Sequence, residues 1–114
     1  MTRLLIVENS APMRRLIRSM VAAIASPIYE CDDGGQAFHV YAAVQPDWVL
    51  MDVELPGRDG ISATREIKRA FPQARVIIVT EYQSTRLRQA AQLAGASAYI
   101  LKENLREVLD ELKR

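Results

Sequence analysis

The sequence contains a single cysteine, Cys31, so it cannot form an internal disulfide. Unpaired cysteines are typical of a reducing compartment, and we expect a cytoplasmic protein. Long hydrophobic runs are also missing. The apolar run near the N-terminus ends at Val7, which is far too short for a signal-peptide core or a membrane span. The sequence therefore predicts no membrane association.

The sequence also lacks an excess of charge of either sign. Its 15 lysines and arginines nearly balance its 14 aspartates and glutamates, for a formal net charge of +1. No strong overall field draws such a chain to nucleic acid, so we expect no direct nucleic-acid binding by this domain. The length of 114 residues and an apolar content of 49% are typical of one globular domain, which we assign to residues 1–114.

Short apolar runs alternate along the chain with stretches of helical periodicity. The runs have the length of buried strands and lie at Leu4–Val7, Ile28–Cys31, Trp48–Met51, Val76–Val79 and Ala98–Leu101. In the first intervening stretch, an apolar stripe is formed by Met13, Leu16, Ile17, Met20 and Ile24. Five strands alternating with five helices predict an α/β fold, in which a doubly wound parallel sheet carries helices on both faces.

Polar side chains follow the apolar runs, where the carboxyl ends of parallel strands meet at one edge of the sheet. They include Glu8, Asn9, Asp52, Thr80, Glu81 and Lys102. Ligands of open α/β sheets bind at that edge. Carboxylate and carbonyl oxygens suit a hard cation such as Mg²⁺, whereas a hydroxyl and a lysine suit phosphate oxygens. The sequence therefore predicts a site for a cation and a phosphoryl group.

With these residues in this order, the chain resembles the receiver domain of two-component response regulators. The similarity extends over residues 3–112. Leu50–Gly60 closely resembles the phosphorylation loop of that family, and Gly95–Lys102 resembles its fifth-strand signature. The resemblance implies a flavodoxin-like three-layer sandwich with strand order 2-1-3-4-5.

The resemblance also implies a function as a phosphorylated signalling switch. Asp52 is then the phosphoacceptor, which receives a phosphoryl group from a sensor histidine kinase or a phosphotransfer protein. Thr80 and Lys102 are then the residues that contact the phosphoryl group. Thr80 and Tyr99 would shift the surface of the fourth helix, fifth strand and fifth helix, which contacts an output domain, a partner or a second copy of the chain. Such a switch reacts only at Asp52 and is not a turnover enzyme.

Mg²⁺ is the cofactor that the resemblance implies. Its ligands would come from Glu8, Asn9, Asp52 and the backbone carbonyl of Glu54. Asn9 stands where the family usually has a second acid, so one negative charge is missing. Because ligand charge tunes the affinity for hard cations, we expect weaker Mg²⁺ binding than usual.

Three further residues are expected to tune the site. Glu54 and Glu81 add carboxylates beside Asp52, and we expect Glu54 to face the site and phosphorylation to be slow. Tyr82 is expected to act as a partial lid.

Other interpretations stay open at this point. The main alternative is a pseudo-receiver, a protein-interaction module of the same fold that phosphorylation does not switch, which Asn9, Glu54 and Glu81 favour. A phosphatase with an aspartate nucleophile is a weaker alternative, since Glu54 follows Asp52 by two positions but the chain has no room for a cap domain. Tyr99 is as compatible with plain core packing as with a switch.

Overall fold

The computed structural model describes Met1–Arg114, in which five strands and five α-helices alternate. In chain order the elements are β1 (Thr2–Val7), α1 (Ala11–Val21), β2 (Ala25–Cys31), α2 (Ala37–Val44), β3 (Trp48–Met51), α3 (Gly60–Ala70), β4 (Val76–Thr80), α4 (Thr85–Ala94), β5 (Ala98–Leu101), a 3-10 turn (Lys102–Asn104) and α5 (Arg106–Leu112). The longest helices, α1 and α3, have 11 residues each, and none of the helices has the length and apolar character needed to cross a membrane.

All five strands are parallel and form one sheet in the order β2-β1-β3-β4-β5, which confirms the predicted topology. Val7 at the end of β1 pairs with Met51 at the end of β3. Thr80 at the end of β4 pairs with Leu101 at the end of β5. This register brings the residues that follow these strands together at one edge of the sheet.

Apolar side chains cover both faces of the sheet. Leu5 and Val7 belong to the core layer under α2, α3 and α4, whereas Leu4 and Ile6 belong to the layer under α1 and α5. Successive residues of a strand point to opposite faces, so a strand covered on both sides needs an unbroken apolar run. The two layers confirm the three-layer sandwich.

The apolar stripe predicted for the first helix is partly wrong. Leu16 is 52% exposed, and α1 ends at Val21, before Ile24 is reached. The buried face of α1 is formed by Ile17 and Val21, which lie one turn apart, and the predicted Met13 and Met20 pack partly buried against the same core layer. Leu16 is adjacent to that face in sequence, but the helical rotation of one residue turns its side chain toward solvent.

Candidate functional site

Two carboxylates share one ammonium group at the carboxyl edge of the sheet. Glu8 follows β1 and Asp52 follows β3, so the two side chains are neighbours. The Lys102 Nζ lies 2.9 Å from Glu8 Oε1 and 3.3 Å from Asp52 Oδ2. The side chains of Glu8, Asp52 and Lys102 are only 4%, 9% and 11% exposed, respectively. Two negative charges and one positive charge are therefore held together with little access to water.

The electrostatics of this cluster alter the protonation of its members. Burial and the neighbouring Glu8 carboxylate raise the pKa of Asp52 to about 6, although Lys102 acts against this shift. Burial acts to lower the pKa of Lys102, but its contacts with Glu8 and Asp52 outweigh burial and raise it. At neutral pH Asp52 is thus largely ionised and Lys102 fully charged. Shifted groups in a cleft are typical of functional sites.

Close packing of glycines fixes the backbone around Asp52. A β-carbon on Gly60 would lie 1.7 Å from the carbonyl oxygen of Asp52, so only glycine fits at the start of α3. Gly34 donates its N–H to the Pro56 carbonyl at 2.9 Å, and a β-carbon there would lie 1.7 Å from the Arg58 carbonyl oxygen. The loop after Asp52 is therefore held from two sides.

The cluster forms the floor of an open cleft of about 270 Å³. Its walls include all the predicted metal-ligating and tuning residues, and its full lining is Glu8, Asn9, Ser10, Asp52, Glu54, Glu81, Tyr82 and Lys102. Glu54, Glu81 and Tyr82 are exposed at its mouth. The cleft thus holds four carboxylates and a single ammonium group, and its field is negative.

Thr80 and Tyr99 lie beside the cleft rather than in its lining. Thr80 is fully buried, and its Oγ1 accepts the Tyr82 N–H at 3.2 Å. The Tyr99 hydroxyl donates to the Tyr82 carbonyl at 2.7 Å. Both predicted switch residues therefore contact the same short segment after β4.

Arg88 on α4 holds the Tyr99 side chain from the other side. Its guanidinium carbon lies 4.6 Å from the centre of the Tyr99 ring, and its Nη1 donates to the Tyr99 carbonyl at 3.4 Å. Tyr99 is half-buried, with its ring covered by Arg88 and its hydroxyl bonded. A series of contacts thus connects Thr80 with α4.

The cleft is lined by the residues expected to hold a hard cation. They are Glu8 and Asp52, which carry carboxylates, Asn9, which carries an amide, and Glu54, whose backbone carbonyl is the expected ligand. No group of three or more His, Cys, Asp or Glu side chains is arranged to hold a metal ion. This mixture of few charges and several neutral oxygens fits a cation such as Mg²⁺, which keeps part of its water shell.

Arg14 and Arg88 contact site residues but were not among the predicted ones. Arg14 donates to the backbone carbonyls of Glu8 and Asn9, and Arg88 covers Tyr99. In the sequence, Arg14 is one of three arginines in the first helix, a pattern typical of a solvent-exposed face. Its position four residues after the helix-capping Ser10 was the available signal, because a side chain there can reach back over the preceding loop.

The fold and this cleft define a class of flavodoxin-like α/β domains with an acidic site at the carboxyl edge of the sheet. Residues 4–113 match the family described as the response regulator receiver domain. The chain belongs to this family, which serves two-component signalling.

Relatives of the chain include both short and long proteins. It is 36% identical over 100 residues to the chemotaxis protein CheY of Halobacterium salinarum, and this match covers 88% of the chain and 83% of that protein. It is 32% identical over 100 residues to the regulatory protein AtoC of Escherichia coli, covering 88% of the chain but 22% of that protein. The chain therefore matches most of one relative but only a small part of a much longer one.

Solved structures that superpose on this chain also belong to response regulators and CheY proteins. A LuxR-family two-component response regulator from Aurantimonas superposes with a TM-score of 0.92 at 31% identity, covering 98% of this chain and 82% of that chain. CheY from Borrelia burgdorferi, solved in a complex with CheX, BeF₃ and Mg²⁺, superposes with a TM-score of 0.87 at 25% identity, covering 97% and 86%. These neighbours confirm the receiver fold.

Proposed function

We propose that the protein is a signalling switch in which Asp52 accepts a phosphoryl group from a sensor histidine kinase or a phosphotransfer protein. The observation that carries the proposal is the buried cluster of Glu8, Asp52 and Lys102. Buried strands seldom end in adjacent acids without a chemical purpose, because burial of excess charge is costly.

The reactive atom in this proposal is Asp52 Oδ1. Lys102 engages the other carboxylate oxygen, Oδ2, at 3.3 Å, and no protein hydrogen bond engages Oδ1. Because no buried side-chain oxygen lacks a partner, Oδ1 is open to the cleft. Oδ1 attacks the phosphorus atom, the bond from phosphorus to the donor histidine nitrogen breaks, and that nitrogen keeps the electron pair. Lys102 then neutralises part of the charge that the aspartyl phosphate adds.

Mg²⁺ belongs to the same proposal, in line with its presence in the Borrelia CheY complex. Glu8, Asn9, Asp52 and the Glu54 backbone carbonyl would hold it. When bound, the cation neutralises charge on the phosphoryl oxygens. Asn9 brings no charge, and both oxygens of Glu8 already have partners in Ser10 N–H and Lys102. We therefore expect weaker Mg²⁺ binding than in receivers with two acids.

The output side of the proposal rests on Thr80 and Tyr99. When the Thr80 hydroxyl turns toward a phosphoryl group, the Tyr82 N–H loses its acceptor, and the segment that also holds Tyr99 must adjust. The surface of α4, β5 and α5 is then the contact for an output domain, a partner protein or a second copy. The domain reacts at Asp52 alone, works in the cytoplasm and turns over no other substrate.

A second candidate function is a pseudo-receiver, which binds partners without being switched by phosphate. The negative field of the cleft favours it, because Glu54 and Glu81 stand where an anionic phosphodonor approaches.

Intact-mass spectrometry after incubation with acetyl phosphate and Mg²⁺ tests the leading proposal. We expect the wild type to gain the mass of one phosphoryl group, and Asp52→Asn to gain none. A matched control is Asp47→Asn, which changes an exposed aspartate at the opposite edge of the sheet and should be labelled like the wild type. Absence of labelling in the wild type, or equal labelling of Asp52→Asn, would contradict the proposal.

A further inference from the structure

Arg14 contacts the backbone of the two residues that open the acidic cleft. It lies in the first turn of α1, and its side chain is 19% exposed. Its Nη1 donates to the Glu8 carbonyl at 2.7 Å and to the Asn9 carbonyl at 3.2 Å. One guanidinium group therefore binds the carbonyls of two successive peptide groups in the loop between β1 and α1.

These two carbonyls have no other donor within the protein. No backbone N–H donates to the carbonyl of Glu8 or of Asn9, although the Glu8 N–H itself donates to the Cys31 carbonyl and fixes the end of β1. The loop is otherwise held by the Ser10 N–H, which donates to the Glu8 carboxylate at 2.9 Å. Without Arg14, the Glu8–Asn9 peptide group would have no hydrogen bond within the protein, and the Asn9–Ser10 peptide group would keep only the bond from the Ser10 N–H.

Glu30 on β2 fixes the orientation of the Arg14 side chain. Its Oε1 lies 3.1 Å from Arg14 Nε, and its Oε2 lies 2.8 Å from Arg18 Nε. Arg18 shares this carboxylate and the same helix, but its second hydrogen bond goes to the Ile28 carbonyl. The two arginines differ in one respect that matters here, since only Arg14 contacts the loop.

We propose that Arg14 is a positioning residue of the phosphoacceptor site. By holding the Glu8 and Asn9 carbonyls on the α1 side of the loop, it directs their side chains toward the cleft. The proposal rests on the phosphoacceptor function and adds to it a group that never contacts the phosphoryl oxygens. Outer contacts of this kind orient metal-ligating side chains and are needed for full metal affinity.

The need for such a contact is greater in this chain because of Asn9. A neutral amide is attracted to a cation less strongly than a carboxylate, so it is less able to order the loop upon binding. A loop that is ordered before binding avoids that cost. Arg14 therefore compensates in part for the acid that Asn9 replaces.

The positive charge of Arg14 and its positioning role predict opposite changes in Mg²⁺ affinity when Arg14 is replaced. Removal of a nearby cation, by charge alone, strengthens the binding of Mg²⁺. Removal of the loop contact weakens it. The direction of change in Mg²⁺ affinity therefore separates the two explanations.

The test compares Arg14→Gln with Arg18→Gln, and uses Arg14→Lys as the conservative variant. Two quantities are measured by NMR: the Mg²⁺ dissociation constant, and the hydrogen-exchange rates of the amides in residues 8–10 without Mg²⁺. For Arg14→Gln we expect Mg²⁺ binding to weaken about tenfold and these amides to exchange faster. Arg18→Gln should match the wild type in both, and Arg14→Lys should fall between.

Equal or tighter Mg²⁺ binding by Arg14→Gln, with unchanged exchange in residues 8–10, would overturn the positioning role. If Arg14→Gln does not fold, the same comparison between Arg14→Lys and Arg18→Gln decides. If the proposed phosphoacceptor function itself is wrong, the result is different, because the wild type is then not labelled by acetyl phosphate. The exchange rates of the metal-free protein still report on Arg14 in that case.

Discussion

The two edges of the sheet carry their charged residues in different ways. At the amino edge, the Asp47 carboxylate accepts the Arg3 backbone N–H at 2.8 Å, and the Arg3 side chain donates to the backbone carbonyls of Val44 and Gln45. Arg75 lies 4.3 Å from the centre of the Trp48 ring. These charges are near the surface, and each has a partner of its own.

At the carboxyl edge, by contrast, Glu8 and Asp52 are nearly buried and both form an ion pair with the same residue, Lys102. The amino edge satisfies its charges and supports the fold. The carboxyl edge keeps an excess of negative charge. Burial and, after it, the Glu8 carboxylate raise the pKa of Asp52 to about 6. Under the proposed function, this loss of stability lies at the edge where the Asp52 carboxylate is to react.

The largest effect on stability is expected from Lys102→Met. It leaves two carboxylates in a nearly buried pair without their cation, and we expect the free energy of unfolding to fall by about 2–3 kcal/mol at neutral pH. The matched variant at the amino edge, Arg75→Met, removes a cation from an exposed site and should cost about 1 kcal/mol or less. Urea unfolding of both variants measures the difference, and equal losses would contradict the comparison.

A second prediction concerns how stability depends on pH through Asp52. Its raised pKa means that folding favours the protonated carboxyl. This stabilisation is fully present below the unfolded-state pKa, about 4, and is lost as the pH rises through the folded-state pKa of about 6. Relative to Asp52→Asn, the wild type should therefore lose stability from about pH 4 to pH 7. A constant difference in the free energy of unfolding across that range would show that folding does not raise the pKa of Asp52.

Asp59 offers a third prediction, with the opposite sign. Burial acts to raise its pKa, but hydrogen bonds from the Ser62 N–H and hydroxyl and from the Ile61 N–H, together with Arg65, lower it. Asp59 caps α3, so Asp59→Ala should cost about 1 kcal/mol at neutral pH. The stabilisation by the ionised carboxylate is present above the unfolded-state pKa and is lost as the pH falls through the lowered folded-state pKa. The cost of Asp59→Ala should accordingly shrink in acid, and unfolding curves at several pH values test it.

The smallest effect is expected from Arg88→Gln. It removes the cation that covers the Tyr99 ring, and we expect a loss of about 0.5–1 kcal/mol at this exposed position. Its informative readout is the NMR signals of the Tyr99 ring, which should show faster ring motion than in the wild type. The matched control is Arg86→Gln, an exposed arginine of the same helix. Unchanged motion of the Tyr99 ring in Arg88→Gln would show that Arg88 does not restrain this ring, and it would contradict a link between α4 and the proposed switch.

Strand bounds were predicted well where the strand is an unbroken apolar run. β3 and β5 have the predicted bounds, Trp48–Met51 and Ala98–Leu101. β2 begins at Ala25 rather than at Ile28, because the exposed residues Ser26 and Pro27 interrupt its apolar run.

The members of the cleft were predicted from the rule that ligands bind at the carboxyl ends of strands. The contacts of Arg14 and Arg88 could not be predicted in the same way. An arginine side chain is long and flexible, so the group it reaches depends on the packing of neighbouring elements. The shared use of Lys102 by Glu8 and Asp52 likewise depends on strand register, which sequence spacing alone does not specify.

NMR of the wild type with and without BeF₃⁻ and Mg²⁺ tests the central claim most directly, because it compares both edges of the sheet in one experiment. The account predicts large shifts at Asp52 and Thr80, further shifts at Tyr99, and little change at Asp47 and Trp48. Unchanged signals at Asp52 and Thr80 would contradict a phosphoacceptor switch and favour the pseudo-receiver.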